Sequence, residues 1–525
     1  MWRISSRAAS QSGRSKACHP RVAKASEVLL DAGNPDCESA MNGKELAQMI
    51  SLGASVAEFD EGLEKYFVET DTFASVIADN GDIISGDKGT GKTAIYRILK
   101  KSYRSYPALD SVEIVDAFNP QGDPVFQRLT YGPNLSEDQY RTFWKAYLLS
   151  LVGNWLIDIY ESSYNGEMQE LKNTLDYLGL SATDVTPETI FGNLHTLVTR
   201  LTKPKSVEIG LTVTETGMPV VTPKIEMGPD REQGELIYNG DFLGVLDRAI
   251  RSTDLTVWVL FDRLDEAFSG RQDIEVPALR ALLRTYLDLT NLGNIKLKLF
   301  LRKDLFRRVT KDGFVNLTHI NARKIDIIWD DEDLIDMVAR RILQNENLKA
   351  VIGGGEDGDS VFSILLPEQI DLGDRKPSTK TWIMGRIRDG NNNRPPRNMI
   401  DLLNKARESQ IRREQRETRD VNPDIGPIIE AEAVKRAFTQ LSEQRVQDTL
   451  IAEAADLSEI IQRFRDGKSE HNSDSLKETI GEVQDYAKTI QALVDIGFLE
   501  EFGQNHKIPM LYRDGLRIKQ GKAFS

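Results

Sequence analysis

Cysteine is nearly absent from this chain of 525 residues. Cys18 and Cys37 are the only two, and both precede the first segment with periodic apolar patterning. That excludes a disulfide framework and a cysteine-ligated metal centre. Histidine is scarce as well: His19, His195, His319, His471 and His506 form no pair at ligand spacing. No apolar run reaches the length of a membrane span. The stretch Ala146 to Tyr160 comes nearest, but Ser150, Gly153, Asn154 and Asp158 interrupt it, so it reads as a buried or amphipathic helix. The expectation is a cytoplasmic protein without a membrane partner. Basic residues are outnumbered, giving a net charge of -14. This excludes a surface coated throughout by nucleic acid and leaves room only for a local basic patch. No N-K-x-D guanine motif is found.

What is present begins unevenly. Arg3, Arg7, Arg14, Lys16, Arg21 and Lys24 all come before the first acid, Glu27. A serine- and alanine-rich basic stretch of this kind suits a transit peptide, a disordered extension, or an upstream start with Met41 as the true one. Residues 1–40 are read as a disordered basic extension without chemistry. The remaining length and its ordinary composition, 40% hydrophobic and 28% charged, suit about three domains.

The chain is organised around Gly86-Asp87-Lys88-Gly89-Thr90-Gly91-Lys92-Thr93, which reads G-x-x-x-x-G-K-T without departure. It follows the short apolar run Asp82-Ile83-Ile84-Ser85 and opens a helix-like run from Ala94 to Leu99. Strand, glycine-rich turn and helix is the context of a phosphate-binding P-loop. Glycines let backbone N–H groups turn inward where a Cβ would clash, and the helix N-terminus adds partial positive charge. Lys92 would reach the β- and γ-phosphates, and the Thr93 hydroxyl would ligate Mg2+.

A second apolar strand, Thr256 to Phe261, ends in Asp262, followed at once by Arg263-Leu264-Asp265-Glu266. In a parallel α/β sheet the C-terminal strand ends face the ligand crevice. Asp262 is therefore the expected metal-organising carboxylate, Glu266 the expected base that activates water, and Asp265 the second choice. Arg302 ends another strand, Ile295 to Leu301. Arg394 and Arg397 flank a proline pair at a helix start, where a lid arginine could cover phosphates. Arg280, Arg284, Arg307 and Arg308 are unranked candidates for a finger acting on a neighbouring subunit.

The expected domains are a nucleotide-binding core over 41–330, a helical lid over 331–420 and a closing domain over 421–525. Ser136 with Gln139 forms a capping box for a long helix through Trp144, Leu148, Leu151, Trp155 and Ile159. Residues 161–240 read as an insertion. In it, alternation over Val207–Val213, a turn at Thr216-Gly217 and a return through Val220 and Ile225 predict a β-hairpin. Lys324–Trp329 predicts a fifth strand, and Arg407–Arg419 an exposed mixed-charge helix. Near the end, Leu493 to Glu500 turns from helix to strand at Gly497, and Ile508–Tyr512 is the expected return strand.

With these residues in hand, the chain resembles P-loop NTPases of the additional-strand class, which includes AAA+ proteins and the NACHT, NB-ARC and KAP groups. The resemblance rests on GDKGTGKT (86–93), VWVLFDRLDEAF (257–268), LKLFLRKDLF (297–306) and RPPRNMIDLLNKA (394–406). FDRLDE is similar to the D-G-L-D-E form of NACHT proteins, with Arg263 in place of the glycine. FLRKD resembles their sensor-arginine strand, which marks Arg302. RPPR resembles a lid arginine of origin-binding AAA+ proteins. The arrangement is most similar to bacterial stand-alone P-loop ATPases with a C-terminal winged helix, several of which accompany antiphage systems. The resemblance implies ATP rather than GTP, slow Mg2+-dependent hydrolysis driving a conformational switch, homo-oligomers and a protein effector. One alternative is an Orc/Cdc6-like ATPase binding DNA through 430–525, with Arg513, Arg517, Lys519 and Lys522 on phosphates. The other is a regulatory scaffold in which nucleotide is bound and not hydrolysed.

Overall fold

Five short strands rich in β-branched and aromatic residues form the centre of the fold: β1 (Ile83–Gly86), β2 (Val112–Phe118), β3 (Thr256–Phe261), β4 (Ile295–Arg302) and β5 (Lys324–Asp326). The structure is a computed structural model that describes residues 41–118, 135–160, 165–181, 194, 206–213, 219–226, 241–268, 271–311, 313–352, 357–423, 426–452 and 454–524. The strands pair in the order β2-β3-β4-β1-β5, and every pairing is parallel. The glycine-loop strand β1 and the carboxylate strand β3 are thus not neighbours, because β4 lies between them. Ile83 pairs with Leu299 on β4, and Val257 pairs with Ile295 on its other edge.

Alternation along the strands feeds two cores. On one face Val257, Val259, Phe261, Leu297 and Leu299 pack under the helices α2 (Glu137–Tyr160) and α3 (Gln272–Leu289). On the other, Ile84, Trp258, Leu260 and Phe300 meet the helix α1 (Lys92–Ser102), which follows the glycine loop. The box that opens α2 is formed in both directions: Gln139 N–H donates to Ser136 Oγ at 3.3 Å, and Ser136 N–H to Gln139 Oε1 at 2.7 Å. Lys298, though charged, is fully buried on the α1 side of β4. It donates to Asp79 and Asp82 at 2.6 and 2.9 Å and lies 4.0 Å from the Trp258 ring. A buried cation needs partners of this kind.

A third apolar cluster joins buried residues within 46–52, 334–406 and 421–518, with Val68. Its frame is the helices α4 (Asp331–Ile342), α5 (Pro396–Glu414) and α6 (Ala431–Arg445). Leu46, Ala47 and Ile50 belong to this cluster, and Met41–Asn42 pairs antiparallel with Asp420–Val421. The first described segment therefore packs with this third cluster. Helix α5 runs past Ala406 through the mixed-charge stretch, which was expected to be exposed. Gln410 and Glu414 are buried there. They form a closed network in which Glu414 accepts from Gln410 Nε2 at 2.8 Å and from Arg419 Nε at 2.6 Å.

From Ser458 the elements run helix (Ser458–Arg463), strand (Lys468–His471), helix (Ser473–Ile480), helix (Tyr486–Asp495), strand (Glu500–Phe502) and strand (Asn505–Lys507). The strand Lys519–Lys522 completes a four-stranded sheet by pairing parallel with Lys468–His471. The return strand is Asn505–Lys507, and Met510–Arg513 is a helical turn entered from Pro509. Ile508, Leu511 and Tyr512 are buried, so this apolar run fills the core beneath the sheet and does not extend it. The hairpin pairs Ser206–Val213 with Pro219–Glu226 in antiparallel register. Its turn at Thr216-Gly217 and residues 1–40 lie outside the described residues. Lys324–Trp329 is a strand only to Asp326, after which the chain turns toward the glycine loop. Among the described residues no helix is long and apolar enough to cross a membrane.

Candidate functional site

The glycine loop leaves β1 at Gly86 and enters α1 at Lys92. Gly89 and Gly91 have φ of 79° and 102°, the left-handed region that other residues occupy at a cost. Gly89 is also needed for space, since a Cβ there would lie 2.9 Å from Arg397 Cβ. Lys92 Nζ curls back onto its own loop and donates to Gly86 O at 2.8 Å and Asp87 O at 2.9 Å. Burial lowers its pKa from the ordinary lysine value, against the pull of Asp265 and Asp262.

Asp262 stands one residue beyond β3 and is almost fully buried. Burial pushes its carboxyl up to about 6, while a hydrogen bond from the Thr93 hydroxyl opposes the shift. The hydroxyl and the carboxylate named as metal ligands therefore share one site. Both line a cavity of about 380 Å3, together with Lys88, Lys92, Asp265 and Glu266. Tyr66, Phe67, Val68, Met337 and Ile400 form its apolar end. Glu266 opens a short turn over Glu266–Phe268 and is half exposed, and burial raises its carboxyl above the usual range. Arg302, at the end of β4, also lines the cavity. It donates to Asp304 at 3.0 Å and lies 3.6 Å from Asp265.

Two loops and the end of β4, from distant parts of the sequence, thus put Lys92, Thr93, Asp262, Asp265, Glu266 and Arg302 around one space. Lys88, Gly89 and Gly91 line it too, with Asp87 on the outer side of the loop facing a second cavity of about 590 Å3. Thr90 is held within the loop, its hydroxyl donating to Asp87 O at 2.8 Å. Arg397 joins the site from the first turn of α5. Arg394, expected beside it, turns away and pairs with Asp331 at 2.7 Å. The four finger candidates are engaged within the chain: Arg280 with Val309 O at 3.0 Å, Arg284 with Glu137, Arg307 with Asp495 at 3.1 Å and Arg308 with Glu275 at 3.1 Å. Arg513 is buried and donates to Ile508 O at 2.8 Å, so it does not face a phosphate backbone. Arg517 pairs with Asp466 at 2.8 Å.

Three contributors carried no mark in the sequence. Trp329 donates its indole N–H to Thr90 O at 2.8 Å and so braces the loop from the end of β5. Asp60 and Arg341, both buried, pair at 2.9 Å, with the guanidinium 4.4 Å from the Tyr66 ring. Arg263 has a φ of 54°. That is the left-handed region, which favours glycine.

No family model matches the chain. A transposon gamma-delta 80.3 kDa protein of Escherichia coli (strain K12) is 23% identical over 307 residues, covering 55% of this chain and 39% of the relative. The chain thus spans about two fifths of the length of the curated relative it matches. Among solved structures, the Aeropyrum pernix ORC2 protein, in ADPNP-ADP complexes, is similar at 12% identity, covering 83% of this chain and 86% of that one with a TM-score of 0.28. The function of the site rests on its own geometry.

Proposed function

We propose that the chain binds ATP with Mg2+ at the loop Gly86–Thr93 and hydrolyses it slowly, using the change to switch its conformation. The observation that carries this reading is the convergence of Lys92, Thr93 and the buried Asp262 carboxylate on one cavity. A hydroxyl and one carboxylate suit a hard cation that takes its remaining ligands from phosphate and water. When bound, Mg2+ would neutralise phosphate charge. Lys92 would exchange its loop carbonyls for phosphate oxygens, and Asp262 would orient Thr93. Glu266 would take a proton from water at one carboxylate oxygen, with Arg302 facing the developing charge. The apolar end at Tyr66, Phe67 and Val68 supports placement of a purine there.

Turnover by wild type beside Lys92→Ala and Glu266→Gln, across a concentration series, tests this. The expected result is loss of nucleotide binding in Lys92→Ala and retained binding with turnover down at least 100-fold in Glu266→Gln, the lower range of a general base's contribution (about 10^2–10^4). Turnover that rises per chain with concentration identifies a homo-oligomer with a shared site. Tight binding without turnover in wild type favours the scaffold.

A DNA-binding ATPase is the second reading. The succession helix, strand, helix, helix, strand, strand from Ser458 favours it, because a winged helix closes in that order. Charge opposes it. Across 473–507, Asp474, Glu478, Glu482, Asp485, Asp495, Glu500 and Glu501 face only Lys477, Lys488 and Lys507. A helix pair and wing so acidic repel a phosphate backbone. A winged helix here better suits a protein effector. DNA binding that weakens steeply with salt in the full chain would reverse that preference. A role in defence systems rests on resemblance alone.

A further inference from the structure

Arg263 lies between two carboxylates. One guanidinium nitrogen makes a close hydrogen bond to Glu58, on the segment before β1, and the other lies 3.7 Å from Glu266 Oε2. The Arg263 side chain is mostly buried and Glu266 is half exposed, so the guanidinium is the fixed member of that pair. Glu58, Arg263 and Glu266 all line the cavity of the glycine loop. The backbone at Arg263 is left-handed, a conformation that disfavours any residue but glycine. A strained backbone, a cation and a carboxylate from a distant segment converge on the residue that would activate water.

We propose that Arg263 is a positioning residue that restrains Glu266, holding one of its oxygens and weakening it as a base, and that Glu58 sets the strength of this restraint by competing for the guanidinium. The inference rests on the hydrolytic reading of the site. A carboxylate that shares its charge with a guanidinium gives up basicity, and general-base efficiency follows basicity. Glu58 accepts a hydrogen bond from the guanidinium and Glu266 lies at ion-pair distance from it, so Glu58 takes the larger share of the arginine. Glu58 also stands on the wall of the cavity that leads to Tyr66 and Phe67, so the restraint is tied to the segment that a nucleotide base would touch.

The consequence is a pair of opposite effects. Arg263→Gly fits the left-handed backbone and removes the cation, and Arg263→Asn does the same while keeping a polar side chain. Both are expected to raise kcat by about threefold or more, since an adjacent opposite charge shifts a carboxyl by about one unit or more. Glu58→Gln leaves the arginine to Glu266 alone and is expected to lower kcat by a similar factor. In all three, ATP affinity by equilibrium dialysis stays within about twofold of wild type, because the phosphate ligands are untouched. Adding Glu266→Gln to Arg263→Gly abolishes the gain. Damage to packing would lower kcat in every variant and could not produce opposite signs. Arg263 variants that bind ATP as wild type does but turn over no faster overturn the proposal and leave the ATPase reading intact. Binding without turnover in wild type and in the Arg263 variants alike also overturns it. Loss of ATP binding in wild type removes the reading and the inference together.

Discussion

At the scale of single residues, Asp389 ties the loop before α5 to pH. Its Oδ1 accepts from the backbone N–H groups of Asn391 and Asn393, each at 2.9 Å, and its Oδ2 from Asn393 Nδ2 at 3.2 Å. These donors favour the anion, yet burial dominates and pushes the carboxyl up to about 6. A folded-state pKa raised from 3.8 to about 6 means that the group's full contribution to stability is present below about pH 4 and is lost as the pH rises through 6. The loss is about 1–2 kcal/mol after allowance for solvent screening. Asp389→Asn keeps an acceptor for both N–H groups and never ionises. Its melting temperature relative to wild type should therefore rise by about 2 °C between pH 4.5 and pH 8, measured by calorimetry in matched buffers. A difference that stays flat with pH would show that Asp389 titrates normally.

At the scale of elements, two contacts bind the glycine-loop module to its neighbours. Trp329 reaches Thr90 O from the end of β5 and packs against both the third cluster and the α1-side core. Nucleotide binding should change its fluorescence. Trp329→Phe, which loses the indole N–H, should weaken ATP affinity about fivefold, one neutral hydrogen bond's worth of about 1 kcal/mol. The Asp60–Arg341 pair fastens the segment before β1 to α4. Asp60→Ala leaves a buried guanidinium without its anion and should cost about 3 kcal/mol in urea unfolding, whereas Asp60→Ala with Arg341→Met should recover much of it. If the double variant is as unstable as the sum of the two singles, the pair contributes no coupling.

At the scale of the whole molecule, the third cluster decides what can be cut. Phe438 stacks edge-on against Trp382 at 5.6 Å, and Leu493, Phe498 and Tyr512 share a core with Met399 and Leu403 of α5. Removing 430–525 would strip one side of that core. The truncated chain should aggregate or melt well below wild type, as light scattering during a thermal ramp would show. Tests of DNA or effector binding therefore belong on the full chain with surface substitutions such as Lys519→Glu and Lys522→Glu. Soluble, cooperatively folding 1–429 would show that the shared core is dispensable.

The sequence by itself determined the glycine loop, its strand and helix, the buried strand ending in Asp262 and the long capped helix at Glu137–Tyr160. Each is written in local spacing: fixed glycines, a run of apolar residues or a capping pair three residues apart. Tertiary structure alone decided that β4 separates β1 from β3, that Arg397 covers the loop while Arg394 pairs with Asp331, and that Trp329, Asp60 and Arg341 frame the cavity. Such contacts join residues tens to hundreds of positions apart, and no local period records them. Ile508–Tyr512 is a buried turn and not a return strand for a related reason. A short apolar run is compatible with a strand and with a buried turn, and only the core it fills distinguishes them. Arg263 lies between these cases. Its departure from glycine was visible in the sequence, but its left-handed backbone and its place between Glu58 and Glu266 exist only once the chain is folded.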